Sequence, residues 1–102
     1  MIPKSRRPTP PGEILLHEFI EPLGLTQKEL AEALGITRIR VNEIIRGRRG
    51  VTPDTAFRLS KFFGTTVDFW IGLQADVDMW DTLRTHGSEY ERIKPIAQAA
   101  NE

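Results

Sequence analysis

The sequence predicts an all-α protein: a compact five-helix domain over residues 11–83, preceded by an arm over 1–10 and followed by a short tail over 84–102. Three observations predict it. Apolar residues recur at i, i+3 and i+4, and no stretch alternates in the two-residue period of a strand. A threonine stands just before four of these apolar runs, at Thr26, Thr37, Thr52 and Thr66, where a helix needs a side-chain acceptor for its first N–H groups. Glycines follow the runs at Gly24, Gly35, Gly47 and Gly64, where a chain leaving a helix favours a left-handed residue.

The elements follow in order. Met1 to Gly12 holds four prolines and three basic residues, which keeps the chain extended at first. Thr9-Pro10-Pro11-Gly12-Glu13 then opens a helix over about 11–21, with apolar residues at 15, 16, 19, 20 and 23 and an end near Pro22 and Gly24. Thr26 and Glu29 form a capping box for a second helix, which runs to Leu34 with Leu30, Ala31 and Leu34 facing inward. Thr37 caps a third helix with Ile39, Val41, Ile44 and Ile45 inward, stopping at Gly47. Thr52-Pro53 opens a fourth, carrying Ala56, Phe57, Leu59, Phe62 and Phe63. Thr66 caps the last, from Val67 to about Thr82. The tail from Arg84 to Glu102 is polar and without pattern until Ile93–Ala100, where Pro95 interrupts any helix.

Length and composition narrow the function. A chain of 102 residues and 11.6 kDa supports one core. There is no cysteine, which removes disulfide scaffolds, thiolate metal sites and cysteine nucleophiles. No apolar run is long enough to span a membrane or form a secretory h-region, and a cytoplasmic location is expected. His17 and His86 are the only histidines, and neither sits in a recognisable serine–carboxylate arrangement. Asp76, Asp78 and Asp81 do not share a helix face, so they read as a solvated acidic rim and not as a metal site. No glycine-rich phosphate cradle follows a strand. An enzyme is therefore not expected, nor a cofactor, a metal or a small-molecule substrate.

Net charge is zero, from 14 basic and 14 acidic residues. Its distribution is uneven. Residues 1–50 carry nine Lys/Arg and six Asp/Glu, whereas 51–102 carry five and eight. Between 38 and 49, five arginines face one acid, Glu43. Such a local patch suits phosphate contact.

That patch adjoins the most informative spacing. Counted from Gln27, the small Ala31 is fifth, Gly35 ninth, Val41 fifteenth and Ile44 eighteenth. A helix-turn-helix needs a small residue where its helices approach and a glycine in its turn. It also needs apolar residues that lock the second helix to the core. That second helix, from Thr37, would enter the major groove of double-stranded DNA. With Ile39, Val41, Ile44 and Ile45 inward, Arg38, Arg40, Asn42 and Glu43 are expected to face base edges: arginine toward guanine, asparagine toward adenine, glutamate toward cytosine. Thr26 and Gln27 lie at a helix N-terminus suited to phosphate, and Arg46, Arg48 and Arg49 form a loop that can clamp the backbone.

The last helix carries Val67, Phe69, Trp70, Ile71, Leu73, Ala75, Val77, Met79, Trp80 and Leu83, more apolar surface than one stripe uses. Some of Phe69, Trp70, Leu73, Val77 and Trp80 are expected in the core and the rest in a symmetric dimer seam. The other reading makes all of them core, with the tail covering the excess. A homodimer also suits operator recognition, because two second helices related by a dyad reach half-sites about 34 Å apart.

The stretch from Arg7 to Ile36, then Val41 to Trp80, resembles the HigA-type antitoxins, also called virulence-associated protein I, within the Xre/Cro-like helix-turn-helix group. Its most specific parts are Pro11-Gly12-Glu13, Thr52-Pro53-Asp54-Thr55-Ala56 and Phe69-Trp70-Ile71-Gly72-Leu73-Gln74. The resemblance implies a Cro/lambda-repressor-like fold and a homodimer that binds its own operator and neutralises a RelE-like mRNA-cleaving toxin. A stand-alone Xre-family repressor without a toxin partner is the alternative.

Overall fold

The structure, a computed structural model, describes residues 6–97. The outer parts of the expected arm and tail, 1–5 and 98–102, lie outside the described residues. Five helices span residues 11–90, and no strand occurs among the described residues. Helix α1 opens as an α-helix over Pro11–Ile14, widens to a π-helix over Leu15–Ile20 and closes as an α-helix over Glu21–Leu23. Helices α2 (Gln27–Leu34), α3 (Arg38–Ile45), α4 (Pro53–Phe63) and α5 (Val67–Tyr90) follow.

The π segment of α1 was not expected, and it accounts for the burial pattern of the helix and for its passage through Pro22 to the expected end at Gly24. Beyond its first turn, α1 buries Leu15 and Ile20, five residues apart. On an α-helix those positions would diverge by about 140°. A wider turn, in which the Glu21 N–H reaches back five residues to the Leu16 carbonyl, brings both to one face. The same widening leaves room for the ring of Pro22 where a regular turn would clash. Pro22 therefore does not stop the helix, which continues to Leu23 and ends on Gly24 at φ 66°.

The threonine caps form as the sequence requires. The Thr26 hydroxyl accepts from the Glu29 N–H at 3.0 Å, and the Glu29 carboxylate accepts from the Thr26 N–H at 2.8 Å. The bond from the Thr26 N–H, with the Thr26 hydroxyl beside it, holds the Glu29 carboxyl below the usual carboxylate range. Thr37, Thr52 and Thr66 accept in the same way from Arg40, Thr55 and Phe69.

The core gathers one or more residues from every helix. Leu15 and Ile20 of α1 meet Leu30, Ala31 and Leu34 of α2, Val41 and Ile44 of α3, Val51, Ala56 and Leu59 around α4, and Trp70 of α5. Trp70 is completely buried, and its indole N–H donates to the Thr65 hydroxyl at 2.7 Å. Phe19 and Phe69 pack on it at ring separations of 5.2 and 5.0 Å. Gly12 is required by closeness: a Cβ there would collide with the carbonyl oxygen of Ile44 at the end of α3.

Helix α5 does not end near Thr82. It runs on to Tyr90. No proline intervenes before Pro95, and Thr85 and His86 bond locally to Asp81 and Glu89. The first part of the expected tail is thus helix. The molecule is elongated, 60 × 23 × 21 Å along its principal axes.

Candidate nucleic-acid interface

Ala31 and the left-handed turn at Gly35, φ 70°, let α3 pack closely across α2. The two helices present a shared outer cleft of about 490 Å³ lined by Thr26, Gln27, Lys28, Arg38 and Asn42. Across it the Asn42 amide donates to the Gln27 side-chain oxygen at 3.1 Å. Four of the residues expected at the interface, Thr26, Gln27, Arg38 and Asn42, therefore come together. Thr37 caps α3 at their edge, its hydroxyl held by the Arg40 N–H at 3.1 Å.

Arg40 and Ile39 exchange the sides expected of them. Arg40 turns inward, with its side chain 26% exposed. Its guanidinium donates to the Thr55 hydroxyl at 2.6 Å and to Asp54 at 3.1 Å. Ile39 is 73% exposed on the outer face. Helical phase is the cause. Val41 and Ile44 point into the core, and position 40 lies about 40° from Ile44, whereas 39 lies about 140° away on the other side. An i, i+2 pair of apolar residues cannot both face one core.

Asp54 also accepts two bonds from Arg58, at 3.0 and 3.1 Å, and Arg58 donates to the Leu34 carbonyl at the end of α2, 2.8 Å away. These bonds from Arg58 and Arg40 hold the Asp54 carboxyl below its ordinary value of 3.8. The network ties α2, α3 and α4 together and sets the tilt of α3. Sequence reading missed it, although Asp54 and Arg58 stand at helical i, i+4 spacing.

Glu43, expected to face a base, is engaged by the loop after α3. Its carboxylate pairs with Arg49 at 3.0 Å, and its carbonyl accepts the Arg48 and Arg49 N–H groups at 2.9 and 3.2 Å. The loop after α3 is thereby anchored, with Arg46 and Arg48 exposed beside the pivot at Gly47. The arm is anchored too: Arg7 makes two 2.9 Å bonds to Asp81 of α5, which lower the carboxyl of Asp81. Asp81 is thus an anchor for the arm and not only part of a solvated rim.

Of the five residues expected to supply core or seam on α5, Trp70 and Val77 are core, and they leave nothing for a partner. Phe69 is exposed, and Leu73 and Trp80 are half-buried. The Arg84 guanidinium lies 5.0 Å over the Trp80 ring. Further along, Met79, Leu83 and Tyr90 line an apolar groove of about 340 Å³. Tyr90 was missed because its helix was expected to have ended.

An α2–turn–α3 pair with a glycine corner, an outward second helix and polar groups converging beside it defines a helix-turn-helix protein. Residues 16–70 match the family model described as Helix-turn-helix. The chain belongs to the Xre-like helix-turn-helix family, in the branch that contains the HigA antitoxins and virulence-associated protein I. It is 48% identical to the Escherichia coli protein named "Uncharacterized HTH-type transcriptional regulator YbaQ", over 92% of this chain and 85% of that one. It is 44% identical to "Antitoxin HigA-1" of Vibrio cholerae, over 90% of this chain and 87% of that one. Among solved structures it is similar to the Pseudomonas aeruginosa antitoxin HigA with higBA promoter, with TM-score 0.83 and 35% identity, covering 88% of this chain and 99% of that one. Among the described residues, no helix is long and apolar enough to cross a membrane.

Proposed function

We propose that this chain is the antitoxin of a HigBA-type toxin–antitoxin pair. As a cytoplasmic homodimer it binds its own double-stranded operator, represses its operon and neutralises a RelE-like mRNA-cleaving toxin. The observation that carries this reading is the outer cleft where Gln27, Arg38 and Asn42 converge. Arg38 and Asn42 take the base-reading role, Thr26 and Gln27 approach phosphate, and Arg46, Arg48 and Arg49 grip the backbone on either side of the groove. Arg40 positions α3 through Asp54 and Thr55. Phe69, Leu73 and Trp80 supply the dimer seam. The similarity to an antitoxin solved with its promoter supports the DNA half of the proposal. The name of the Vibrio cholerae relative supports the toxin half.

The name of the Escherichia coli relative favours a second reading, a stand-alone transcriptional repressor. One experiment separates them: a mobility shift on the DNA upstream of the chain's own gene, with and without the product of the adjacent gene. A preferred fragment, bound with a log–log salt slope of roughly −6 to −10, is expected for a dimer contacting that many phosphates. A small basic neighbour that joins the complex supports the antitoxin, and one that does not supports the repressor. No preference among promoter fragments overturns both.

A further inference from the structure

We infer that Ile39 reads the 5-methyl group of a thymine in each half-site. This rests on the operator-binding reading above and adds a specificity residue to it. Ile39 is an aliphatic side chain, 73% exposed, in the first turn of α3. Its exposure is dictated by register. With Val41 1% and Ile44 2% exposed, α3 cannot turn to bury Ile39 without bringing both of them into water. Its neighbours on α3 are Arg38 and Asn42, which line the outer cleft together with Lys28, and Glu43, which is paired with Arg49.

Such a surface is charged and rich in donors, which fits nucleic acid better than an apolar protein partner. Ile39 itself can neither donate nor accept a hydrogen bond. Of the groups that base pairs present in the major groove, the thymine 5-methyl is the apolar one. Phosphates and the other base edges offer an isoleucine nothing. Asn42 lies one turn on, about 4.5 Å along the axis, between one and two base steps of about 3.4 Å. Gln27 takes one N–H of the Asn42 amide. Its second N–H and its oxygen can serve adenine. The thymine therefore lies in the pair that Asn42 reads or in the next one.

The test uses the full chain and the operator mapped by protection of its own upstream DNA. Each thymine is replaced in turn by deoxyuridine, which removes only the methyl. At one thymine per half-site the wild-type protein is expected to bind about fourfold more weakly, the effect of one buried methyl-sized group, and on both half-sites together roughly tenfold or more. Ile39→Ala is expected to lose a similar factor on the thymine operator and to show no further loss with deoxyuridine. Ile39→Val should keep the sensitivity. Melting curves of both variants should match the wild type, since Ile39 holds nothing in the core. If the wild type binds the operator but ignores every deoxyuridine, or if Ile39→Ala keeps the sensitivity, the inference fails while operator binding stands. An Ile39→Ala variant that keeps full operator affinity but no longer joins the adjacent gene product makes Ile39 a protein contact and also overturns it. If the wild type prefers no fragment, the operator reading itself fails.

Discussion

Arg40 and Ile39 are neighbours in the chain with opposite duties, and their variants should behave differently from what composition suggests. Arg40→Ala removes bonds to Asp54 and Thr55 that orient α3. It should lower stability by about 1 kcal/mol in urea melts, given the partial exposure of the pair, and weaken operator and scrambled DNA by similar factors. Arg38→Ala should leave the melt unchanged and selectively reduce operator binding, narrowing the ratio between the two DNAs. Equal selectivity loss in both variants would mean that Arg40 swings out on DNA. At Gly12 the expected effect is purely steric. Gly12→Ala would set a methyl against the Ile44 carbonyl, and should cost about 2 kcal/mol or more by chemical denaturation, although alanine is the better helix former elsewhere.

Elements are held to one another here by charge as well as by apolar packing. Asp54 joins Arg40 of α3 to Arg58, which itself grips the end of α2. Its carboxyl is lowered on folding, so its contribution is complete above the ordinary value of 3.8 and is lost as pH falls through the lower folded value. Glu29 and Asp81 act with the same sign. In melts at stepped pH, the gap between wild type and Asp54→Asn should be full at neutrality and shrink below about pH 4. A gap that grows with acidity would contradict the pairing. The α2 capping box was legible in Thr26 and Glu29 alone, because a cap is a local bond between residues three apart. Thr26→Ala should cost about 1 kcal/mol in urea melts. The π turn of α1 was not legible, because it answers to what Leu15 and Ile20 must reach and not to their own preferences.

At the scale of the molecule, a globular body bears one projecting helix. Beyond Val77 the exposed apolar side chains of α5, Met79, Leu83 and Tyr90, lie outside the core. If the proposed dimer forms through this helix, a Leu73→Glu variant should sediment at half the mass of the wild type at the same concentration, and should bind the operator at least tenfold more weakly, since one half-site must then hold alone. An unchanged mass for this variant would move the seam away from Leu73.

The sequence by itself determined that there are five helical segments, that four of them start at threonines, that the first four stop beside glycines, and that the second and third form a helix-turn-helix. Those are local matters of capping, positive φ and periodicity, decided within a few residues. The tertiary structure alone decided that Arg40 faces in and Ile39 out, that Glu43 serves Arg49, that Trp70 and Val77 belong to the core, and that α5 runs to Tyr90. Each depends on which distant group occupies the space beside a helix face. A side chain's direction follows from the packing of its whole helix, and its own chemistry does not settle it.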